Sequence, residues 1–369
     1  MKARVLILTA GYGQGHNTAA ANLQSALQKA GADATVEDLL GKAYPSVHSF
    51  LTKLYSAVIV YAPLLWDLFY RLVNADQGIR KRAVQLGRLD TLLEKMIESD
   101  RPDMICSTHM LYNYAINRVY PPEEPRPFRQ ATVVTDSLTI NRIWHETHSD
   151  LWYVPNRETG YRLKEDGVSE DRIYDLGFPV HESFFQEGVE AARPPLEKGP
   201  ARILYIVNSD RVDPREVAET LLVNRDFHLT MTVGKQEQLK EELEKRFSAE
   251  IEAGRFSVQG WSREIPRLMV QHHVVIGKAG GATTQEAIAA RAPMLITHVV
   301  PGQEEGNYLL LKKHGAGFLT PSTADVIATL DWLFDEESPT YPAALRAMEG
   351  LRRPDPAGKI SAHLLKNMS

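Results

Sequence analysis

IGKAGGATTQE, residues 276–286, is the stretch whose reading decides the fold. It follows a short apolar run, Val274-Val275-Ile276, turns at Gly280-Gly281 and enters an Ala-rich segment over 284–290. The expected order is strand, glycine turn, helix. A glycine pair allows a tight turn with bared main-chain N–H groups, and a helix N-terminus adds unpaired donors and a partial positive charge. Both suit a phosphate. Glu286 is expected two to three residues into the helix, where a carboxylate can accept hydrogen bonds from a ribose diol. A plainer reading stays open, in which the glycines serve only the turn and Glu286 only caps the helix.

Outward from this stretch the chain alternates strands and helices. Apolar runs predict strands over 4–10, 34–36, 104–107, 132–135, 151–154 and 173–175, and again over 202–207, 228–233, 256–258 and 294–297. An Ala-rich helix is expected over 18–30 with Gly31 as its stop, and a charged helix over 236–246. EAARPPLEKGP, residues 190–200, combines three prolines, a glycine and charges, which is linker composition. The expected organisation is therefore α/β with two doubly wound domains, 1–187 and 201–369, a linker over 188–200, and a ligand site in the cleft between the domains. A length of 369 residues agrees with two cores.

Composition narrows the class. At 43% hydrophobic and 24% charged the chain is ordinary globular material. A net charge of −5 argues against a basic nucleic-acid surface. The single cysteine, Cys106, excludes an internal disulfide framework and a cysteine-cluster metal site. No signal peptide is expected from 5–10, and no apolar run reaches the roughly 20 residues of a spanning helix. Residues 44–74 stand apart, rich in Leu, Val, Tyr, Phe and Trp, with Arg80, Lys81, Arg82 and Arg88 following. Apolar aromatic helix beside cationic charge suits a lipid surface, and equally a buried hairpin broken at Pro63.

Several residues carry chemistry. Gly11 to His16 reads GxGxG, with Glu37 and Asp38 at the distance of a ribose-binding acid, but His16 stands where the third glycine of a dinucleotide fingerprint belongs. An imidazole titrating near pH 6.5 suits a general base, and packing or capping explains it as well. PGQEEGN, residues 301–307, sets Gln303, Glu304 and Asn307 in a loop that suits sugar hydroxyls or plain solvation. Asp136, after the strand over 132–135, is either a crevice residue or a helix N-cap, and Trp261 either packs beside a base or lies in the core. His272-His273 point to opposite faces and have no third ligand at suitable spacing, so no metal site is expected.

The glycine turn ending in Gly15-His16-Asn17, VVTDSLTINRIW (133–144), DLGFPV (175–180), GKAGGATTQEA (277–287), PGQEEGN and Gly315-Ala316-Gly317 together carry a family pattern. On these motifs the chain resembles the diacylglycerol glycosyltransferases, namely monogalactosyldiacylglycerol synthases and bacterial processive diacylglycerol glucosyltransferases. More distantly it is similar to the peptidoglycan enzyme that adds N-acetylglucosamine to lipid I. The resemblance implies the GT-B architecture, two Rossmann-like domains facing across a cleft, with the terminal helix returning to the first domain. It implies inverting, metal-independent hexose transfer from a UDP-sugar to a lipid, diacylglycerol above all, with no cofactor and no nucleic-acid partner. Gly280, Gly281 and Thr283 would hold the diphosphate, Glu286 the ribose, and Gln303, Glu304 and Asn307 the hexose. His16 would be the catalytic base, with Gly15, Asn17 and Asp136 lining the acceptor side. Tyr61, Leu65, Trp66, Phe69, Arg80, Lys81 and Arg82 would meet an anionic membrane, peripherally on the cytoplasmic face. The chain departs from the pattern at Asn141, where the family carries histidine, at Asn208-Ser209-Asp210, and at Gly277 before Lys278. Glucose, galactose and N-acetylglucosamine stay open as the sugar. A UDP-sugar epimerase, a non-catalytic nucleotide-sugar sensor and a transferase to another lipid are the rivals; an NAD enzyme is disfavoured by the broken fingerprint.

Overall fold

The computed structural model describes residues 2–11, 14–45, 58, 62–78, 87–186, 188–189, 193–207, 212–224, 226–262, 264–302 and 304–368. Contacts divide the chain into two units: Met1–Val180 with Val300–Gly306 and Asp355–Ser369, and His181–Val299 with Asn307–Pro354.

In the first unit β1 (Arg4–Leu8), β2 (Asp33–Glu37), β3 (Met104–Ser107), β4 (Arg129–Val133), β5 (Leu151–Val154) and β6 (Ile173–Asp175) form one parallel sheet in the order β2-β1-β3-β4-β5-β6. Period-two alternation sends Val5 and Ile7 to one face and Leu6 and Leu8 to the other, and both faces are covered. Helices Gln14–Lys29 and Pro356–Lys366 cover the first face through Leu23, Leu27, Ile360 and Leu364, all fully buried. Burying such a side chain is worth about 1.5–3 kcal/mol, so these four fix the terminal helix firmly against the first unit's sheet. Helix Gly87–Asp100 and helix Leu111–Val119 cover the other face with Leu93, Ile97 and Ile116. Gly31, at φ +88°, ends helix Gln14–Lys29 in the left-handed region that favours glycine. The winding reverses between β1 and β3, so their carboxyl ends open a crevice within this unit.

The second unit repeats the plan. Here β7 (Arg202–Ile206), β8 (His228–Thr232), β9 (Phe256–Gln259), β10 (Val274–Gly277), β11 (Met294–Ile296) and β12 (Gly317–Leu319) run parallel in the order β12-β11-β10-β7-β8-β9. The reversal falls between β7 and β10. Residues of the proline-rich segment belong to this unit: Arg193 donates through Nη1 and Nη2 to the main-chain oxygens of Arg291 and Ala290, 2.8 and 2.7 Å away. β12 has no forerunner in the sequence reading. It is three residues long, and Gly317 is required there because a Cβ would meet Leu311 Cβ at 2.5 Å.

In the aromatic stretch, Pro63 starts a helix, Pro63–Ala75, as an N-terminal proline suits. Tyr61, Arg80, Lys81 and Arg82 lie outside the described residues. Among the described residues no helix is long and apolar enough to cross a membrane.

Candidate active site

His16 occupies the third position of helix Gln14–Lys29, directly beyond β1, and is 4% exposed. Its Nδ1 lies 2.8 Å from the Thr108 carbonyl oxygen beyond β3 and 2.9 Å from Thr135 Oγ1 beyond β4. A carbonyl only accepts, so Nδ1 carries the proton and Nε2 keeps its lone pair. Burial lowers the His16 pKa, opposed by Asp136 and by the bond to Thr108. The ring is thus a neutral, oriented base at neutral pH. Three loops at the carboxyl ends of adjacent strands build it.

Around it, the His109 ring stands edgewise, with centroids 4.6 Å apart, and Trp144 lies at 6.1 Å. Trp144 donates from Nε1 to Asp136 Oδ2 at 2.8 Å, so Asp136 is held by tryptophan and does not cap a helix. Burial raises the Asp136 pKa; His16 and the Trp144 bond oppose this, and Glu304 adds to it. Burial, then His16, holds His109 well below its ordinary value. Asn17 accepts from Thr9 Oγ1 at 2.9 Å, which ties the helix start to the strand end, and Gly15 lies within that same first turn.

The ribose reading of Glu37 and Asp38 is corrected. Asp38 accepts from Gly11 N–H at 3.1 Å and Gly41 N–H at 2.8 Å, capping helix Leu39–Ala43, and Glu37 pairs with Lys42. Those carboxylates shape the glycine turn instead of meeting a dinucleotide.

The PGQEEGN stretch is split between the units: residues up to Gly306 cluster with the first and Asn307 with the second. Glu304 is 7% exposed and its Oε2 accepts from Val300 N–H at 3.2 Å, so it is no solvated loop residue. Gln303 lies outside the described residues. Asn307 is buried; its Nδ2 donates to the Ala279 carbonyl at 3.0 Å, bracing the turn before Gly280.

At that turn the helix starts earlier than the sequence suggests, at Gly281, with Gly280 as an extended N-cap and no side chain capping it. A glycine N-cap leaves the first N–H groups uncovered, as an anion site requires. Thr283 follows within this first turn, half-buried. Glu286 stands on the second turn, so it is not the cap. Part of its surface remains open, yet the protein around it is dense enough that burial lifts its pKa to about 7. Trp261, just past β9, is 67% exposed and therefore no core residue. His272 and His273 use their ring nitrogens on Leu268, Thr230, Pro194 and Arg202, a structural employment that explains the pair.

Thr108, His109, Thr135 and Trp144 escaped the sequence reading as site residues. Only the rule that ligands gather at carboxyl ends of strands pointed toward them. On helix Pro63–Ala75, Leu65, Leu68, Phe69 and Leu72 are exposed, Leu65 by 64%, while Trp66 is half-buried.

The model of the monogalactosyldiacylglycerol synthase family matches residues 16–180. A processive diacylglycerol beta-glucosyltransferase of Bacillus mycoides (strain KBAB4) is 26% identical over 368 residues, covering 97% of this chain and 92% of its own length. Among solved structures, the glycotransferase of kitacinnamycin covers 99% of both chains at 14% identity, with a TM-score of 0.62. The UDP-GlcNAc 2-epimerase from Neisseria meningitidis, bound to UDP-GlcNAc, covers 99% of this chain and all of its own at 14% identity and TM-score 0.57. These likenesses show the fold, the two-domain α/β GT-B class. The family match, which begins at His16 itself, and these relatives make the chain similar to the diacylglycerol glycosyltransferases.

Proposed function

We propose that this protein transfers a hexose from a UDP-sugar to diacylglycerol at an anionic membrane surface, with inversion at the anomeric carbon. The observation that carries the reading is the neutral His16 ring, anchored through Nδ1 and free to take a proton at Nε2. In the step, Nε2 removes the proton of the acceptor hydroxyl and that oxygen attacks C1 of the hexose. The bond from C1 to the phosphate oxygen breaks, and UDP leaves with the electron pair. The imidazolium so formed is stabilised by Asp136 and by the Thr108 carbonyl. The uncovered helix start at Gly281 takes the diphosphate charge, which is electrostatic stabilisation aimed where charge develops. Glu286 accepts from the ribose hydroxyls, Glu304 and Gln303 orient the hexose, and Asn307 supports the turn. The buried acids and histidines need no metal in this scheme.

The test is UDP release from UDP-glucose, UDP-galactose and UDP-N-acetylglucosamine, with and without anionic vesicles containing diacylglycerol. Release that requires diacylglycerol and favours one donor supports the reading. Interconversion of the sugars without diacylglycerol would instead mark an epimerase.

The exposed stripe on helix Pro63–Ala75, followed in sequence by Arg80, Lys81 and Arg82, supports the membrane contact. Changing Leu68 and Phe69 together to aspartate is expected to weaken binding to phosphatidylglycerol vesicles about tenfold or more. Binding of the unaltered protein should also weaken as salt rises. Vesicle sedimentation measures both, and indifference to lipid charge and to salt would remove the membrane contact.

A further inference from the structure

Helix Pro63–Ala75 has two faces. At about 100° per residue, Leu65, Leu68, Phe69 and Leu72 share one side and Trp66, Tyr70, Val73 and Asn74 the other. The first group is exposed, and the second is turned toward protein. Asn74 Oδ1 accepts from Arg142 N–H at 2.9 Å, and Asn141 Nδ2 donates to the Tyr70 carbonyl at 3.4 Å. Tyr70 Oη donates to the Thr139 carbonyl at 3.4 Å. The helix is therefore pinned to the 139–142 turn by its inner face.

The Tyr70 ring does one thing more. A Cβ on Gly302 would come within 2.5 Å of it, and Gly302 sits at φ +74°. Four residues on, Gly306 lies so close to the main chain that a Cβ would be 1.7 Å from the Ser137 oxygen. Glu304 stands between these two fixed points, buried and electrostatically coupled to Asp136. Only glycine allows either approach.

We propose that Tyr70 is a positioning residue that seats the Glu304-bearing segment, so that engagement of the helix's apolar face by a lipid surface and engagement of the donor's hexose favour each other. This rests on the membrane and donor readings given above. The physical content is linkage. If the helix held at a surface keeps Tyr70 against Gly302, the segment reaches its donor-binding placement with less ordering to do. Donor affinity then rises on vesicles, and vesicle affinity rises by the same factor with donor.

The experiment uses the full chain with phosphatidylglycerol–phosphatidylcholine vesicles lacking diacylglycerol, so that no transfer occurs. Binding of UDP, UDP-glucose, UDP-galactose and UDP-N-acetylglucosamine is measured by calorimetry with and without vesicles. At least one UDP-sugar is expected to bind about fivefold or more tightly with vesicles, while UDP, which lacks the hexose, gains nothing. Tyr70→Phe keeps the ring and should keep the gain. Tyr70→Ala and Gly302→Ala should lose it while still binding vesicles as the unaltered protein does. A gain that survives Tyr70→Ala, or no gain with any of the three sugars, overturns the proposal while leaving the membrane reading intact. Absence of vesicle binding in the unaltered protein overturns both.

Discussion

His16→Ala is expected to lower the rate of hexose transfer by about 10²–10⁴-fold, the range of a general base, while UDP binding changes by less than a few fold. The split follows from where the ring stands. Its contacts are Thr108, Thr135, His109 and Trp144, all in the first unit, and none belongs to the helix start at Gly281. Single-turnover rates and UDP titration separate the two effects. A large loss of UDP affinity would sink the base assignment. The pH dependence supplies a second check. Because burial lowers the His16 pKa, the acid limb of the rate should lie below pH 6.5, the ordinary value of a histidine. Asp136→Asn removes a group that favours the protonated ring, so the limb should move further toward acid and the plateau rate should fall. Asp136 is the charged group that raises the pKa of this ring, and the ring in turn lowers that of His109. An acid limb above pH 7 would mean that another group titrates.

Much of this arrangement was legible in the sequence, for local reasons. Runs such as Arg4-Val5-Leu6-Ile7-Leu8 state their burial on both faces, and Gly280-Gly281 states its turn. What failed was non-local. Asp38 lies at the distance of a ribose-binding acid, but whether it meets a nucleotide or the Gly11 N–H depends on how the glycine turn folds back. The start of helix Gly281–Ala289 was placed three residues late because its Ala-rich run hides that Gly281 is already helical. β12 is too short to show a period. His109 and Tyr70 became meaningful only when β1 and β3 were neighbours and when Gly302 lay against a helix more than 200 positions earlier. Of the two readings open for Trp261, the core one fails, because the general preference of tryptophan for burial does not hold at this exposed position.

Glu286→Gln is expected to weaken UDP binding by about 1–3 kcal/mol, the scale of a buried hydrogen bond to a charged group, a loss of roughly five- to 150-fold. The pH dependence makes the test specific. Burial raises the Glu286 pKa to about 7, above its ordinary 4.5. Hydroxyl donors from a ribose favour the carboxylate, so the pKa in the complex falls and binding releases a proton near neutrality. Affinity should therefore climb as pH rises toward 7 and level off above it. Uridine is the clean probe, since it carries the diol and no ionisable phosphate, and the glutamine variant should bind it without this climb. Stability runs the other way. Between pH 4.5 and 7 the folded protein holds a proton that the unfolded chain has lost, so the glutamate costs stability as pH rises, on the order of 2–3 kcal/mol by pH 7. The ligand-free glutamine variant should melt higher than the unaltered protein above pH 7 and alike below pH 4.5. A glutamate kept at such a cost, where glutamine would fit, is the pattern of a residue retained for binding. Equal melting at both pH values would show that the carboxylate is well solvated and that its neighbourhood is not the closed pocket a ribose requires.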